Sequence, residues 1–564
     1  MNVHATCPRL WWHRRVDQVR PAFSPAMAIG SMLEEAVARV LRASPMHENS
    51  GAPHGVLKTP ICPDGRPDSK GKWPVRTLLP IEQWPSDRET LEEWASLRLD
   101  VHLGAMMPLT QMAWESNANR HGDWESLDAS RIAEMGRNAI SLHLDELKHL
   151  VDDSSLLCWQ RLRDGVREQI PAPDGWSPDV ELPPEVCSAT GWLGAWFAGR
   201  PWFVDPDAAL FSMTSIHPDA WFAGEFDFVY RWAEAPSIID LKASDGTGDF
   251  GRGYPNQLTA YAWLWKETHD GQTPLSLRIW YLDGPHVKEV PIPDDMGFEA
   301  WAQQAEALHL RMFDSNRSIS QFPAEPSAMV RFQPGGTDEV RTDEDRCTWC
   351  DARLLCEHGR SHVTWPDPPA LDTGRWKTFD EFRSRWTAAG HAMSLSSLRD
   401  RWPEFSLKDD EGHQRVFVRQ GGPEGLQEVD LGEYISISDV RVEPRYRGPV
   451  IIADDLSTLH RNPDPDLERV ELNTFQMRYS IHGIAISLTS KLLEFDDGRT
   501  NPMWSVRLVD ASGTCEAIAF GDDVPKIAPS IRRGDHLLMH GIWIGERFGK
   551  PQIRLDRSSS VMVI

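Results

Sequence analysis

Hydrophobic and polar positions change period several times along this chain, and each change marks a predicted element. After a short basic-aromatic block, Cys7-Pro8-Arg9-Leu10-Trp11-Trp12-His13-Arg14-Arg15, and a break at Pro21 and Pro25, an amphipathic helix opens at Gly30 and runs to about Leu41. Residues 45–85 are rich in Pro, Gly and Asp and read as loop. From Ser86 to about Glu168 the pattern is helical, with Ile132, Met135, Ala139, Leu142, Leu147 and Leu150 on one face. A Pro/Gly-punctuated connection at 170–200 leads to strands at Phe211–Ile216 and Ala220–Trp232. A run Ser237-Ile238-Ile239, a hairpin at Leu275–Leu282 and Val287–Pro291, and a helix from Phe298 to Phe313 follow. Beyond a Pro/Asp/Gly linker at Pro366–Thr373, Phe379–Ala388 and Leu395–Trp402 read as short helices and Val416–Arg419 as a strand. From about Val470 five strand-like runs appear, Tyr479–Ser487, Met503–Val509, Thr514–Phe520, His536–Ile544 and Gln552–Leu555, with a short helix at Val524–Ile531 between the third and fourth.

The stretch Ala223–Trp265 carries the chemistry. One strand delivers Asp240-Leu241-Lys242, an earlier one carries Gly224-Glu225-Phe226-Asp227, and a helix after a Gly-rich loop places Gln257 and Tyr261 four apart on one face. Two acids on adjacent strands can hold a hard divalent cation through oxygen ligands. A lysine two residues beyond one acid lies on the same strand face and can reach a water or phosphate there. A lone D-x-K has a plainer reading as an ordinary ion pair between Asp240 and Lys242. G-x-x-D before it and Q-x-x-x-Y after it make the combination specific.

These motifs resemble the PD-(D/E)xK nuclease superfamily, and specifically its RecB-like branch, which includes the CRISPR-associated RecB-type exonucleases and AddB. The resemblance implies an α/β core of the restriction-endonuclease kind, with residues 86–168 as a helical insertion. It also implies Mg²⁺ or Mn²⁺ held by Asp227, Asp240, the Leu241 carbonyl and a ligand on the first helix. Lys242, Gln257 and Tyr261 complete the catalytic set. RecB-like openings run Cys-Pro-Arg, aromatics, then a G-x-x-x-H helix whose His binds metal. Glu34 holds that position here, with Glu35 as a rival and a solvated helix face as the plain alternative.

Eight cysteines in a chain whose first residues lack an apolar export segment point to metal or redox chemistry rather than disulfides. Cys347, Cys350 and Cys356 fall within ten residues, and three thiolates call for a fourth. RecB-like nucleases with an iron–sulfur cluster show one Cys before the first helix and C-x2-C-x5-C after the core. The resemblance therefore implies a [4Fe–4S] cluster on Cys7, Cys347, Cys350 and Cys356, tying the ends of the nuclease domain. A four-cysteine zinc site is the rival. Cys62, Cys158, Cys187 and Cys515 read as buried thiols, and His143 as a packing residue.

The last five strands resemble an OB-fold, a barrel used for single strands and oligosaccharides. Tyr479, Trp504, Trp543 and Phe548 are candidate stacking residues beside Arg507, Arg547, Lys550 and Arg554, although some of the aromatics must fill the barrel. The expected domains are 1–365 (nuclease), 366–465 (a small α+β connecting domain, winged-helix-like) and 466–564 (the all-β barrel). Net charge −25 argues against a general nucleic-acid coat but leaves room for a local basic channel. No apolar run is long enough to cross a membrane, so the expected setting is cytoplasmic. No phosphate-binding G-x-x-x-x-G-K-[ST] occurs, so unwinding needs a partner helicase. The expected function is a metal-dependent nuclease on DNA, single strands favoured, in repair or antiphage defence. The alternative is a binding scaffold with a vestigial nuclease core.

Overall fold

The computed structural model describes residues 2–43, 45–46, 79–152, 190–202, 215–230, 235–248, 253–331, 339–341, 345–361, 363–365, 375–382, 385–397, 403–410, 412–419, 421–443, 450–463, 478–495, 498–547 and 550–564. Two units divide the chain. Unit 1 is Met1–Trp12, Phe23–Asn117 and His121–Trp349; unit 2 is His13–Ala22, Ala118–Arg120 and Cys350–Ile564. Cys62, Cys158, Cys187 and Phe548 lie outside the described residues.

Unit 1 begins with the short helices α1 (Asn2–Thr6) and α2 (Pro8–Arg15), the latter running on past Trp12. Helix α3 (Pro25–Arg42) starts at Ser24, whose side chain accepts a hydrogen bond from the Met27 amide, with proline in the first turn where no donor is needed. Met32, Leu33, Ala36, Val37, Val40 and Leu41 are its buried face. The helical stretch expected at 86–168 appears as α4 (Arg88–Ser116) and α5 (Ala129–Asp152), and residues 153–168 lie outside the described residues. Helix α6 (Gly191–Ala198) completes this layer. His143 on α5 is fully buried and hydrogen-bonds the Tyr230 hydroxyl at 2.7 Å, a packing position as expected.

A ribbon of β1 (Ser215–Ile216) and β2 (Ala223–Gly224) leads into a four-stranded sheet in the order β3 (Phe228–Tyr230), β4 (Ser237–Lys242), β5 (Ser276–Tyr281), β6 (His286–Val290). Only the β4–β5 pair is parallel, and helix α7 (Tyr254–Thr268) makes the crossover that such a pair requires. Helix α8 (Asp295–Phe313) and a second ribbon, β7 (Met329–Arg331) with β8 (Glu339–Arg341), follow. Ile239 and Leu241 face the core built with α3–α6, whereas Ile238 packs with Leu258 and Ala262 of α7. Asp240 and Lys242 share the parity of Ile238 and so belong to the α7 face. A one-residue slip would drive Asp240 into the apolar α3–α6 core and away from Gln257, which pins the register.

Unit 2 contains α9 (Glu357–Arg360), β9 (Arg375–Trp376) and two barrels. The first uses β10 (Trp386–Ser397), β11 (Pro403–Lys408), β12 (His413–Val418), β13 (Tyr434–Glu443) and β14 (Val450–Ala453), with β15 (Thr458–Arg461) on β13. The second uses β16 (Tyr479–Glu494), β17 (Thr500–Val509), β18 (Thr514–Phe520), β19 (His536–Arg547) and β20 (Lys550–Arg554), with β21 (Ser560–Val563) on β19. Numbering the strands of each barrel one to five, both close in the order 1-2-3-5-4-1, with only the 3–5 pair parallel. That is the five-stranded Greek-key barrel of the OB-fold, present twice.

The repetition extends to single residues. The first strand of each barrel carries Gly-x-Ala-x-Ser-Leu, at 390–395 and again at 483–488, and each bulges between its Ala and its Ser. The Ala392 carbonyl accepts from Gly432 N at 2.6 Å, as the Ala485 carbonyl does from Gly534 N at 2.7 Å. Arg385 grips Asp454 as Arg478 grips Asp556, and each aspartate is followed three residues on by a serine that closes its turn. Asp439 and Gly541 occupy the same place with φ of 58° and 66°.

Residues 379–397 therefore differ from the expected pair of helices. Phe379–Glu381 is a single 3-10 turn and Leu395–Ser397 belongs to β10, while residues 398–402 lie outside the described residues. Ala388, Ala389 and Ala392 favour a helix locally, but they are buried in a sheet that pairs on both edges, and tertiary pairing overrides propensity. The helix expected at Val524–Ile531 is two 3-10 turns, Gly521–Asp523 and Ala528–Ser530. Pro525 and Pro529 deny a continuous helix its amide donors. No helix among the described residues is long and apolar enough to cross a membrane.

Candidate functional site

The expected catalytic residues of unit 1 converge at one end of β4. Asp240 is buried at 1% exposure, and its Oδ2 lies 2.6 Å from Lys242 Nζ without a well-directed hydrogen bond. Asp227, between β2 and β3, accepts a hydrogen bond from the Leu241 amide at 2.8 Å and lies beside the Asp240 carboxyl. Gln257 of α7 donates to the Tyr261 hydroxyl at 2.8 Å and reaches Asp240 Oδ1 at 3.4 Å. Gly224 is where Tyr261 crosses the strand: a Cβ there would sit 3.1 Å from both the Tyr261 ring and Leu264, so only glycine fits without a shift.

Charge is crowded here. Burial, then Asp227, push the Asp240 carboxyl up to about 7 despite the opposing Lys242 ammonium. Asp227 is raised too, chiefly by burial. Burial lowers the affinity of Lys242 for its proton, but Asp240 and then Asp227 more than offset it, so its pKa ends raised and the group stays an ammonium. Glu34 of α3 feels the same cluster: burial and Asp227 raise it to about 8, with Asp240 and Glu225 adding to the push. Glu34 keeps an exposed surface, so solvent screens this push and it is softer than that on Asp240. Glu35 is not in the cluster, since it pairs with Arg39 on its own helix, Nε to Oε1 at 2.7 Å.

Three residues beyond the expected set line the same place. Tyr254 lies under Lys242, Nζ to ring centroid 4.8 Å, an attraction of about 0.5–2 kcal/mol that fixes the ammonium. Tyr281 turns a buried, unpartnered hydroxyl toward the same group of side chains, and Glu225 adds a fourth carboxylate at the exposed edge. Tyr254 was legible in principle, because 254, 257 and 261 share one helical face. Tyr281 is brought in only by the parallel pairing of Lys242 with Tyr281.

Among the described residues no three His, Cys, Asp or Glu side chains form a ready-made metal cage. The donor chemistry nevertheless suits a hard cation. Asp227 raises the pKa of Asp240, both raise that of Glu34, and Asp240 Oδ2 has no well-directed donor, so a divalent ion would relieve crowded negative charge. The four cysteines are differently placed. Cys7 and Cys347 belong to unit 1, Cys350 and Cys356 to unit 2; none is in a disulfide and all but Cys350 are buried. The Cys356 thiol is lowered despite burial, by His13 and by the amides of Gly359 and His358, and His13 in turn holds Asp17 at 2.8 Å.

In unit 2 the expected stacking aromatics of the last barrel are interior. Trp504 is 2% exposed in the barrel core, Tyr479 is buried beside it, and Trp543 is buried with its ring N–H donating to Asp556. Of the expected basic residues, Arg507 donates to the Asp17 carbonyl and Arg547 pairs with Glu516 at 3.3 Å.

Solved structures similar to parts of the chain include a replication protein A heterotrimer bound to ssDNA, 15% identical over 33% of this chain and 51% of that one, with a TM-score of 0.14. The chain thus spans about half the length of that protein. They also include a replication factor A related protein from Methanobacterium thermoautotrophicum, 18% identical over 18% of this chain and 96% of that one, with a TM-score of 0.15. An OB domain from Thermoplasma acidophilum is 16% identical over 15% of this chain and 74% of that one, with a TM-score of 0.13. No curated protein matches the chain in sequence. Residues 143–357, which take in Asp227, Asp240, Lys242, Gln257 and Tyr261 but neither Glu34 nor Cys7, match the family model of the PD-(D/E)XK nuclease superfamily.

Proposed function

We propose that the chain is a metal-dependent deoxyribonuclease of the RecB-like branch that hydrolyses phosphodiester bonds in DNA, favouring single strands. The observation that carries this reading is the unneutralised carboxylate pair Asp227–Asp240, with Lys242 2.6 Å away and Gln257 behind it. Glu34, Asp227, Asp240 and the Leu241 carbonyl would hold Mg²⁺ or Mn²⁺, which supplies a water of lowered pKa and charge at the phosphoryl oxygens. Lys242, an ammonium steadied by Tyr254, donates to the attacking water or a phosphate oxygen and so orients attack. Gln257 holds Asp240 and Tyr261 in place and offers an amide to the strand's backbone.

The same reading assigns residues 1–365 to the nuclease, 366–465 to a connecting domain and 466–564 to the terminal barrel, in a cytoplasmic protein working beside a helicase in repair or antiphage defence. Cys7, Cys347, Cys350 and Cys356 are proposed on spacing alone as the thiolates of a [4Fe–4S] cluster; iron and sulfide analysis after anaerobic purification tests it, and zinc without iron would refute it.

The decisive assay is cleavage of end-labelled single- and double-stranded DNA with Mn²⁺ or chelator. Asp240→Ala and Lys242→Ala should each lose about 100-fold or more while remaining folded. Normal cleavage by either variant refutes this site, and a wild-type chain that binds DNA without cutting it would be a scaffold with a vestigial core.

A further inference from the structure

Unit 2 holds a buried histidine whose surroundings fix its chemistry. His13 is 4% exposed, and its ring Nδ1 lies 2.8 Å from Asp17 Oδ2. An ionised carboxylate can only accept, so Nδ1 carries the proton and a neutral ring presents its lone pair at Nε2. The backbone that carries Asp17 is itself tied down, since Arg507 donates to the Asp17 carbonyl at 2.7 Å. Nε2 is buried and has no hydrogen-bond partner among the described residues. The side chain that lies beside this ring is Cys356.

The local chain is shaped to present that sulfur. Arg353 N donates to the Cys350 carbonyl and Cys356 N to the Ala352 carbonyl, both at 3.0 Å, which folds 350–356 into tight turns. Gly359 closes against them: a Cβ there would lie 2.7 Å from the Arg353 Cα and carbonyl oxygen, a backbone approach that only glycine permits. The amides of His358 and Gly359 lie beside the Cys356 sulfur, N–H donors of the kind that metal-bound sulfur accepts. A weak S–H donor is a poor answer to a buried imidazole lone pair, whereas a thiophilic cation takes both the nitrogen and the sulfur. The carboxylate on Nδ1 fits as well, because metal-ligating histidines use such a partner to fix the tautomer and raise basicity.

We propose that His13 Nε2 is a ligand of a thiophilic metal centre held by Cys350 and Cys356, so that the run Cys347-x2-Cys350-x5-Cys356 takes its fourth ligand from an imidazole. Zinc and iron–sulfur centres both call for four protein ligands, and both accept nitrogen beside sulfur. The assignment departs in one ligand from the four-cysteine set that spacing implies, where Cys7 holds this place. Among the described residues no three ligands are preassembled, so His13 and Cys356 are the fixed half of the centre, and binding of the metal orders the rest. It rests on the reading of the cysteine run as metal-binding and on nothing in the nuclease site.

The test uses the full-length chain purified without oxygen, with iron, sulfide and zinc counted per chain. With isotope-labelled histidine, pulsed EPR should detect a directly bonded nitrogen on the reduced cluster, or on Co²⁺ exchanged for zinc. His13→Gln keeps a hydrogen-bonding amide in place of the ligand and should weaken metal retention against a competing chelator about 100-fold. His13→Cys supplies a thiolate and should keep the metal while the nitrogen signal disappears. Asp17→Asn should weaken retention about tenfold by releasing the ring. The assignment is overturned if loaded wild type shows no bonded nitrogen, if His13→Gln retains metal as wild type does, if His13→Cys keeps the nitrogen signal, or if the chain binds neither iron nor zinc. Iron and sulfide without bonded nitrogen would leave the four-cysteine cluster standing and remove His13 from it. Zinc with bonded nitrogen would refute the iron–sulfur reading and leave His13 in place.

Discussion

Replacing Asp240 by asparagine should make the metal-free protein more stable and the enzyme inactive, and the two effects have one cause. In the folded state burial and Asp227 raise the Asp240 carboxyl from 3.8 to about 7. A group raised in this way contributes its stability below the unfolded value and loses it as pH climbs through the folded one. The penalty for keeping Asp240 therefore opens near pH 4 and is complete above about pH 7, roughly three pH units or about 4 kcal/mol as a ceiling. Asp240 is 1% exposed, so solvent does not screen it, but local relaxation and Lys242 share the load, and about 1–2 kcal/mol is the expected gain. At about 2–4 °C per kcal/mol this is a rise of a few degrees in the melting temperature of Asp240→Asn over wild type at about pH 8 in chelator, shrinking by roughly two-thirds at about pH 5. Adding Mn²⁺ should then raise the wild-type melting temperature and leave the variant unmoved. Calorimetry or circular dichroism at both pH values reads all of this. A variant less stable than wild type at the higher pH, or a difference that does not grow with pH, would refute the claim that the carboxylates are held against their own repulsion.

Three further perturbations probe the same reasoning. Gly224→Ala inserts a methyl 3.1 Å from Tyr261 and Leu264; it should cost about 1–3 kcal/mol in a urea melt and lower cleavage further than stability alone explains, because Tyr261 receives the Gln257 hydrogen bond. Tyr254→Leu keeps an apolar side chain but removes the ring under Lys242, and should lower kcat about tenfold with little change in oligonucleotide affinity; unchanged kcat would deny Tyr254 a positioning role. Arg385→Ala removes the ion pairs to Asp454 and Glu546, whose side chains are 11% and 9% exposed, while Arg441 still holds Asp454 at 3.1 Å, and should cost about 2–3 kcal/mol. The equivalent Arg478→Ala, at a pair 32% exposed on both sides, should cost about 1 kcal/mol, and equal losses in chemical denaturation would contradict the burial argument.

Much of the nuclease core was readable because its signals are local. Ser237-Ile238-Ile239 announces a strand covered on both faces, and the parity of Asp240 and Lys242 then follows from geometry alone. Gln257 and Tyr261 are four apart on a helix whatever it packs against. Glu34 and Glu35 could not be separated this way, since adjacent residues differ only by which direction each faces. What decides is Arg39, one turn on, which claims Glu35 and leaves Glu34 beside the aspartates. Tyr281 was illegible for a deeper reason: its place depends on the parallel register of β4 with β5, a contact across nearly forty residues that no short window contains.

The first barrel shows how a strong local pattern misleads. Trp386-Thr-Ala-Ala-Gly-His-Ala reads as helix because alanine favours it, yet in a small closed barrel the first strand pairs with both its second and its fourth neighbours and has room only for small side chains. Gly390 states the constraint: a Cβ there would lie 2.8 Å from the Lys408 carbonyl oxygen. Gly483, its counterpart in β16, would meet Phe379 at 2.9 Å. The Gly-x-Ala-x-Ser-Leu run that places both glycines is present twice in the sequence, so repetition, rather than propensity, was the available evidence for the fold. The second copy was recognised by its β-branched residues, Ile481, Ile484 and Ile486, and two of these are apolar because that barrel's outer surface is covered. The features that made the second barrel legible as a strand pattern are thus those that close its face.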